Sequence, residues 1–294
     1  MTAPEPAPFL EVARLLESSR PRQRVNWFWI AIGLLLLIVL GSSAVARELP
    51  NGNQAVQILA GLAVIGLAVA LTAITGHSVR QLRGEQQQVE RMGELVQLRR
   101  WDEAASSLEQ YLLMPVRSPV LWAQALVYLA AVLSRYHRFE DAIAVQTHLL
   151  EQGLLDEPSA AGLRVARAMA MLREDHLFDA DRAISELRRS PAAGSGGLAL
   201  VEIYRDVKTG HPAEAIELFE QKLPMMRDQL AHRVADAYAL AARAYDLLGQ
   251  ESQARGAFRS ATLLAPVGEL FRRYPEVEKL AGRYQPAPAP PEAA

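Results

Sequence analysis

The chain has 294 residues with 31 basic and 33 acidic side chains, which gives a formal net charge of −2 at pH 7. This near balance argues neither for nor against nucleic acid, and the partners that we predict do not include it. Cysteine is absent, which excludes disulfides, thiolate nucleophiles and cysteine-ligated zinc or iron–sulfur sites.

The first 24 residues predict a disordered start with one short amphipathic helix. The opening "MTAPEPAP" is rich in proline, and the following "FLEVARLLESS" places Phe9, Val12 and Leu16 at helical spacing. Two interpretations remain open for this helix. It lies on a membrane surface, or it is a local helix without a lipid role.

Residues 25–76 predict a transmembrane hairpin. Residues 25–46 and 54–76 form two stretches of 22 and 23 residues without a charged side chain, and about 20 apolar residues suffice to cross a bilayer. The link between them contains the turn formers Pro50, Asn51 and Gly52, so we expect two antiparallel helices. Neither stretch has the ionisable groups of a transporter, and we interpret the hairpin as an anchor.

Basic residues around the hairpin predict its orientation. The link carries only Arg47, whereas the flanks carry Arg14, Arg20, Arg22, Arg24, Arg80, Arg83 and Arg91. The positive-inside rule then places both termini in the cytoplasm, with the hairpin in a bacterial inner membrane. The alternative is that "AVA" at Ala44–Ala46 is a signal-peptidase site.

The segment after the hairpin predicts a rigid connection. Residues 77–90 contain no proline, so the second membrane helix is expected to continue as a helical linker into the first repeat, with Gly84 as the expected bend. Small residues on one face of the second span pack against the first span or against another chain: Ala63, Gly66, Ala70 and Ala73.

Residues 91–284 predict an α-solenoid of about five helix–turn–helix units. Apolar residues follow the helical period, and no segment alternates as a strand does. The phrases "RRWDEAASS", "HRFEDAIAV" and "DHLFDADRA" echo one another. They align small residues at intervals of 38, 38, 35 and 39: Ala104, Ala142, Ala180, Ala215 and Ala254. The predicted fold class is all-α, with a C-terminal capping helix within 267–284 and a disordered proline-rich tail at 285–294.

The fifth unit carries a family resemblance. "YALAARAYDLLGQESQARGAFRSATLLAP" resembles the tetratricopeptide repeat at Tyr238, Ala241, Ala242, Tyr245, Gly249, Ala254, Phe258, Ala261 and Pro266. The resemblance covers about residues 85–266 and implies stacked helix pairs whose first helices line a groove. The intervals exceed the family period of roughly 34 residues, and another helical solenoid is the alternative. The family's first-helix glycine is replaced in four units by Met92, Ala130, Ala168 and Ile203.

No residue set predicts catalysis, a cofactor or a metal ion, so we predict a protein that is not an enzyme. His137, His176 and His211 lie in corresponding turns of successive units, and stacked helices about 8–10 Å apart cannot bring all three to one ion. The glycines of Ala192–Leu200 lack the Lys–Ser/Thr of a phosphate-binding loop.

The resemblance implies a partner-binding groove. Arg135, Arg173 and Lys208 share one repeat position and would form a row of cations along an apolar trough. We expect this groove to bind a peptide with apolar anchors and acidic groups, unless the capping helix already fills it. The predicted lining is Val127, Ala131, Arg135, Val165, Met169, Arg173, Leu200, Tyr204, Lys208 and Arg243.

Together these features predict a membrane-anchored adaptor or scaffold that presents a cytoplasmic repeat groove to a protein or peptide partner. Two alternatives remain open. The chain is an assembly factor of an envelope pathway, like the cytochrome c maturation or HemY-like proteins, or it is a structural membrane subunit that self-assembles as a homo-oligomer. The short link with one arginine counts against the first alternative.

Overall fold

The computed structural model describes residues 10–18, 33, 53–116 and 118–284. Among these residues every regular element is a helix, which confirms the predicted all-α class and agrees with an α-solenoid. The first predicted membrane span, residues 25–46, lies outside the described residues apart from Gly33, and the tail 285–294 lies outside them as well. The chain divides into two compact units, Met1–Val132 and Leu133–Ala294.

From Asn53 onward the described helices follow one another with short connections. The first unit contains α1 (Val12–Ser18), α2 (Asn53–Gln97), α3 (Trp101–Leu113) and most of α4 (Pro119–Arg135). The second unit contains the end of α4 and then α5 (Phe139–Gln152), α6 (Glu157–Arg173), α7 (Leu177–Arg188), α8 (Gly196–Thr209), α9 (Pro212–Leu230), α10 (Val234–Leu247), α11 (Glu251–Leu264), α12 (Val267–Arg273) and α13 (Pro275–Tyr284). Two 3-10 turns, Pro191–Gly194 and Ala231–Arg233, precede α8 and α10.

The helix α2 is the longest element and contains the second predicted span and the predicted linker. It runs without interruption through Gly84, the position of the expected bend. Ile65 and Val69 lie four residues apart on it and are 62% and 64% exposed. Among the residues that the structure describes, no helix combines the length and the apolar character that crossing a membrane requires.

The N-terminal helix α1 packs against α3 within the first unit. Val12 and Leu15 of this helix, and Leu10 two residues before it, are buried, with 5%, 2% and 3% of their surface exposed. Of the three residues predicted to share the apolar face, Val12 is buried, Leu16 is half-buried, and Phe9 lies outside the described residues. The helix therefore buries its apolar side chains against protein.

The turns between paired helices share one backbone geometry. In each of five turns, the residue five positions before the aligned alanine has a left-handed backbone: Arg99, His137, Asp175, Gly210 and Gly249, with φ between 59° and 80°. The next residue donates its backbone N–H to a carbonyl five positions earlier, as in Arg138 to Leu133 at 2.9 Å and Gln250 to Tyr245 at 2.9 Å. This hydrogen bond pairs carbonyls that the end of the first helix leaves free.

The aligned alanines are all completely buried. Ala104, Ala142, Ala180, Ala215 and Ala254 are each 0% exposed. Each lies in the first turn of the second helix of its pair, where a larger side chain would hold the neighbouring helix further away. In the pairs α2–α3, α6–α7, α8–α9 and α10–α11, which are in contact, the aligned alanine thus marks a place where the second helix packs closely.

The three histidines of the turns occupy two different positions. His137 is the left-handed residue of its turn, whereas His176 and His211 come one residue later and directly precede a helix. His176 Nε2 lies 3.1 Å from Glu140 Oε1, and His211 Nδ1 lies 2.9 Å from Thr209 Oγ1. The described residues contain no cluster of histidine and carboxylate side chains arranged to hold a metal ion.

Candidate functional site

The candidate site is a trough in the second unit that is filled by the end of the chain. Residues Val267–Tyr284, which comprise α12 and α13, are here called the C-terminal segment. The surface of α6, α8 and α10 that contacts this segment is called the trough. Residues four apart share one helix face, so α6 presents Val165, Met169 and Arg173 together. The same spacing on α8 presents Leu200, Tyr204 and Lys208.

The apolar floor of the trough is almost inaccessible. Val165, Met169, Leu200 and Tyr204 are 8%, 2%, 1% and 1% exposed. The apolar side chains of the C-terminal segment are just as deep, because Leu270, Tyr274, Val277 and Leu280 are each 0% exposed. This segment packs against α10 and α11 as well. The sequence left open whether the groove is vacant or filled, and in the structure the C-terminal segment occupies the part of it at Arg173, Tyr204 and Lys208.

One aromatic ring of the C-terminal segment forms the centre of the contact. Tyr274 meets Tyr204 of α8 edge to face, with ring centroids 5.1 Å apart and planes at 85°. The guanidinium carbon of Arg173 lies 5.5 Å from the Tyr274 ring centroid and 5.3 Å from that of Phe139. A cation placed against two ring faces in a dry site gains more from each than it would in water.

One carboxylate of the segment completes this contact. The Tyr204 hydroxyl donates to Glu276 Oε1 at 3.2 Å, and Lys208 Nζ lies 3.5 Å from the same oxygen. Lys208 also donates to the Leu172 carbonyl oxygen at 2.8 Å and pairs with Asp175. Burial, and then the nearby Glu276 carboxylate, raise the pKa of Tyr204. The hydroxyl therefore keeps its proton and acts as a donor.

Two acids of α10 hold the segment at its two helices. Asp236, which is completely buried, accepts from Arg273 Nη1 at 2.6 Å. Asp246 accepts from Arg283 Nη1 at 2.8 Å and from the Tyr284 hydroxyl at 3.0 Å. Neither acid is among the lining residues predicted from the sequence. The sequence nevertheless indicates them, because Asp236 and Asp246 are the two acidic residues of α10, whose other positions are mostly apolar.

The contact leaves polar atoms without hydrogen bonds. Among the described residues, Arg173 Nε, the Tyr274 hydroxyl and Glu276 Oε2 are buried and have no hydrogen-bond partner. All three belong to the aromatic and carboxylate contacts between the segment and the trough. An unpaired buried polar atom weakens a contact because it has lost water and gained no partner.

The predicted lining residues fall in both units. Val127 is half-buried and Ala131 is exposed, and both belong to the first unit. The other eight lie in the second unit, where Arg173, Lys208 and Arg243 have partners within the chain. Arg243 donates to Asp246 at 2.8 Å. Recognition of a separate partner by these residues stays a prediction.

No family model matches the sequence, and no curated protein matches it. Among solved structures, the chain is similar to the crystal structure of BtubC (BKLC) from P. vanneervenii. The sequence identity is 13%, the TM-score is 0.43, and the match covers 97% of this chain and 98% of that chain. A TM-score of this size carries no argument about fold or function.

Proposed function

We propose that this chain is a membrane-anchored adaptor whose trough binds a peptide segment of another protein. The observation that carries the proposal is the occupied trough. There Arg173, Tyr204 and Lys208 hold a helical segment through one aromatic ring and one carboxylate. A partner peptide with apolar anchors and an acidic group would satisfy the same side chains.

The proposed anchor is the hairpin of residues 25–46 and 54–76, and the position of α1 supports its topology. The helix α1 precedes both stretches, α3 follows both, and the two helices pack together. Segments in contact lie on one side of a membrane. Two spans between α1 and α3 satisfy this condition, whereas a single span does not. The basic flanks make that side the cytoplasm of a bacterial cell.

The proposal includes an uncleaved chain with a repeat groove of the tetratricopeptide type. Signal-peptidase cleavage at Ala44–Ala46 would detach α1 from the helix against which Leu10, Val12 and Leu15 are buried. The five equivalent turns and the five buried alanines support a repeat of this kind.

A second candidate is a structural subunit that self-assembles in the membrane. Ile65 and Val69 expose apolar side chains on one face of α2, and a second copy of the chain would cover such a face. This candidate predicts contacts between copies of α2 and needs no foreign partner in the trough.

The test is crosslinking in cells of the tagged full-length chain, followed by membrane fractionation and mass spectrometry. Arg173→Glu and Arg182→Glu form a matched pair, because both reverse the same charge, but Arg182 is 76% exposed on α7 and lies outside the trough. We expect one foreign protein to be crosslinked in the membrane fraction by the wild type and by Arg182→Glu, and not by Arg173→Glu.

Each part of the proposal has a contradicting result. Equal recovery of the partner from Arg173→Glu and Arg182→Glu would contradict binding in the trough. A chain found outside the membrane fraction would contradict the anchor. Crosslinks only between copies would favour the second candidate. A phosphatase reporter fused after Gly76 is expected to be inactive, and periplasmic activity would reverse the orientation.

A further inference from the structure

We infer that the C-terminal segment is a displaceable ligand of the trough within the chain, and that the partner presents the same pattern: an aromatic residue followed two positions later by a carboxylate. This inference rests on the proposed function and adds the chemistry of the partner and a means of regulation. The partner binds by replacing the segment, so the closed chain is the inactive form of the adaptor.

The recognition pattern is short and lies where a helix begins. Tyr274 directly precedes α13, Pro275 is the first residue of α13, and Glu276 follows in its first turn. Tyr274 contacts Tyr204 and Arg173, and Glu276 contacts the Tyr204 hydroxyl and Lys208. The trough thus contacts both elements of the pattern, and a carboxylate in the first turn is also favoured by the helix dipole.

The fit of the segment is incomplete, and this makes replacement favourable. Arg173 Nε, the Tyr274 hydroxyl and Glu276 Oε2 are buried without hydrogen bonds among the described residues. A segment that served only as a cap would bring apolar side chains here, because unpaired buried polar atoms destabilise. A partner that supplies a hydrogen-bond acceptor for Arg173 Nε therefore binds the trough more favourably than the C-terminal segment does.

The two helices of the C-terminal segment are expected to detach from the trough together. Its two helices have 7 and 10 residues and are separated at Tyr274. Helices this short are marginal without tertiary contacts, so loss of the trough contact would release both of them. The ion pairs at the C-terminal ends of its two helices, Arg273 with Asp236 and Arg283 with Asp246, hold it by charge as well as by apolar contact.

The test measures binding of a labelled synthetic peptide with the sequence of residues 267–284 to the full-length chain by fluorescence anisotropy. Glu276→Gln removes the carboxylate that meets Lys208, and Glu278→Gln makes the same change at an exposed position of the same helix. We expect Glu276→Gln to bind the peptide about tenfold more tightly than the wild type, because loss of a charged hydrogen bond opens the trough. Glu278→Gln should bind like the wild type.

Three further samples test whether the peptide binds in the trough. Adding Lys208→Met to Glu276→Gln should reduce peptide binding to below the wild-type level, whereas adding Lys222→Met, on α9, should not. A peptide with alanine at the positions of Tyr274 and Glu276 should not bind to any variant. If Glu276→Gln loses its helical circular dichroism, Arg283→Ala replaces it, because it weakens the other end of the segment at a side chain that is 67% exposed.

Three outcomes would overturn the inference. The first is equal peptide affinity for the wild type and both carboxylate variants. The second is binding that survives Lys208→Met. The third is a concentration-dependent dimer in which two chains exchange their segments, since this assigns the trough to a second copy. If the peptide behaves as expected and cells yield no foreign partner, the proposed function fails and the closed state stands. If a partner is recovered and the peptide result is negative, only this inference fails.

Discussion

Two tyrosine-to-phenylalanine substitutions at one contact are predicted to change the stability of the C-terminal segment in opposite directions. Tyr274 and Tyr204 form an edge-to-face pair, and each substitution removes one hydroxyl and keeps the ring. The Tyr274 hydroxyl is buried without a hydrogen-bond partner among the described residues. The Tyr204 hydroxyl donates to Glu276 at 3.2 Å. The first hydroxyl therefore destabilises the contact, and the second stabilises it.

The magnitudes follow from the two environments. An unpaired buried polar group costs ~1–3 kcal/mol, so Tyr274→Phe should stabilise the closed segment by about 1 kcal/mol. A hydrogen bond to a charged group contributes ~1.5–3 kcal/mol, so Tyr204→Phe should destabilise it by about 1.5 kcal/mol. The stability of the closed segment should thus differ by about 2.5 kcal/mol between the two variants. Each variant lacks one hydroxyl group, and the two substituted rings are in contact with each other.

Amide hydrogen exchange of residues 267–284 in the full-length chain measures this difference, because its rate reports local opening. Exchange should slow about fivefold in Tyr274→Phe and accelerate about tenfold in Tyr204→Phe, since 1.4 kcal/mol corresponds to a factor of ten. Amides of α5, which does not belong to the trough, provide the internal reference. Faster exchange in Tyr274→Phe, or no change in either variant, would refute the reasoning.

Three more predictions concern the stability of the second unit. Asp236→Asn should lower its free energy of unfolding by about 2 kcal/mol in urea denaturation, because Arg273, whose side chain is 23% exposed, loses a charged partner; no loss would contradict a stabilising pair. Gly249→Ala should cost about 1 kcal/mol because φ there is 72°, whereas Gly256→Ala in α11 should gain about 0.5 kcal/mol. An added Cβ meets nothing within 4 Å at either glycine, so equal effects would contradict a backbone origin. Burial, and then nearby arginines, lower the pKa of His137 below its ordinary 6.5. The unfolded chain therefore binds a proton first as the pH falls below 6.5, stability is lost in that range, and His137→Asn should remove this part of the pH dependence in thermal unfolding.

The helices of the described part were predictable, because local spacing determines them. The aligned alanines marked the second helix of each pair, and all five are buried. The shared turn geometry was not recognised. Gly210 and Gly249 stand at the left-handed position in two turns, but His137 and Asp175 occupy it in others and concealed the pattern. A glycine-only search fails at turns where other residues adopt that conformation.

For the trough, only the repeat positions of the residues that form it were predictable from the sequence. The repeat spacing indicated that Arg173, Tyr204 and Lys208 share a surface, and the three do contact one segment. What covers that surface depends on pairs far apart in the sequence, such as Arg273 with Asp236, and no local pattern reveals them. The packing of α1 on α3 is also a contact between residues far apart in the sequence, because the two helices lie on either side of the predicted hairpin in the chain. No local pattern reveals it.

The central claim is that Glu276 of the C-terminal segment lies against Lys208 of the trough within one chain. A zero-length carbodiimide crosslinker couples an amine to a carboxylate only in direct contact, and the chain has just three lysines, Lys208, Lys222 and Lys279. Lys208 Nζ lies 3.5 Å from Glu276 and also pairs with Asp175. Mass spectrometry of the crosslinked monomer should find Lys208 joined to both carboxylates. When an isotope-labelled peptide with the sequence of residues 267–284 is added in excess, Lys208 should be joined to the labelled peptide in place of the chain's own Glu276. Coupling of Lys208 to Asp175 alone would show a reactive lysine without the segment beside it, and would contradict the account.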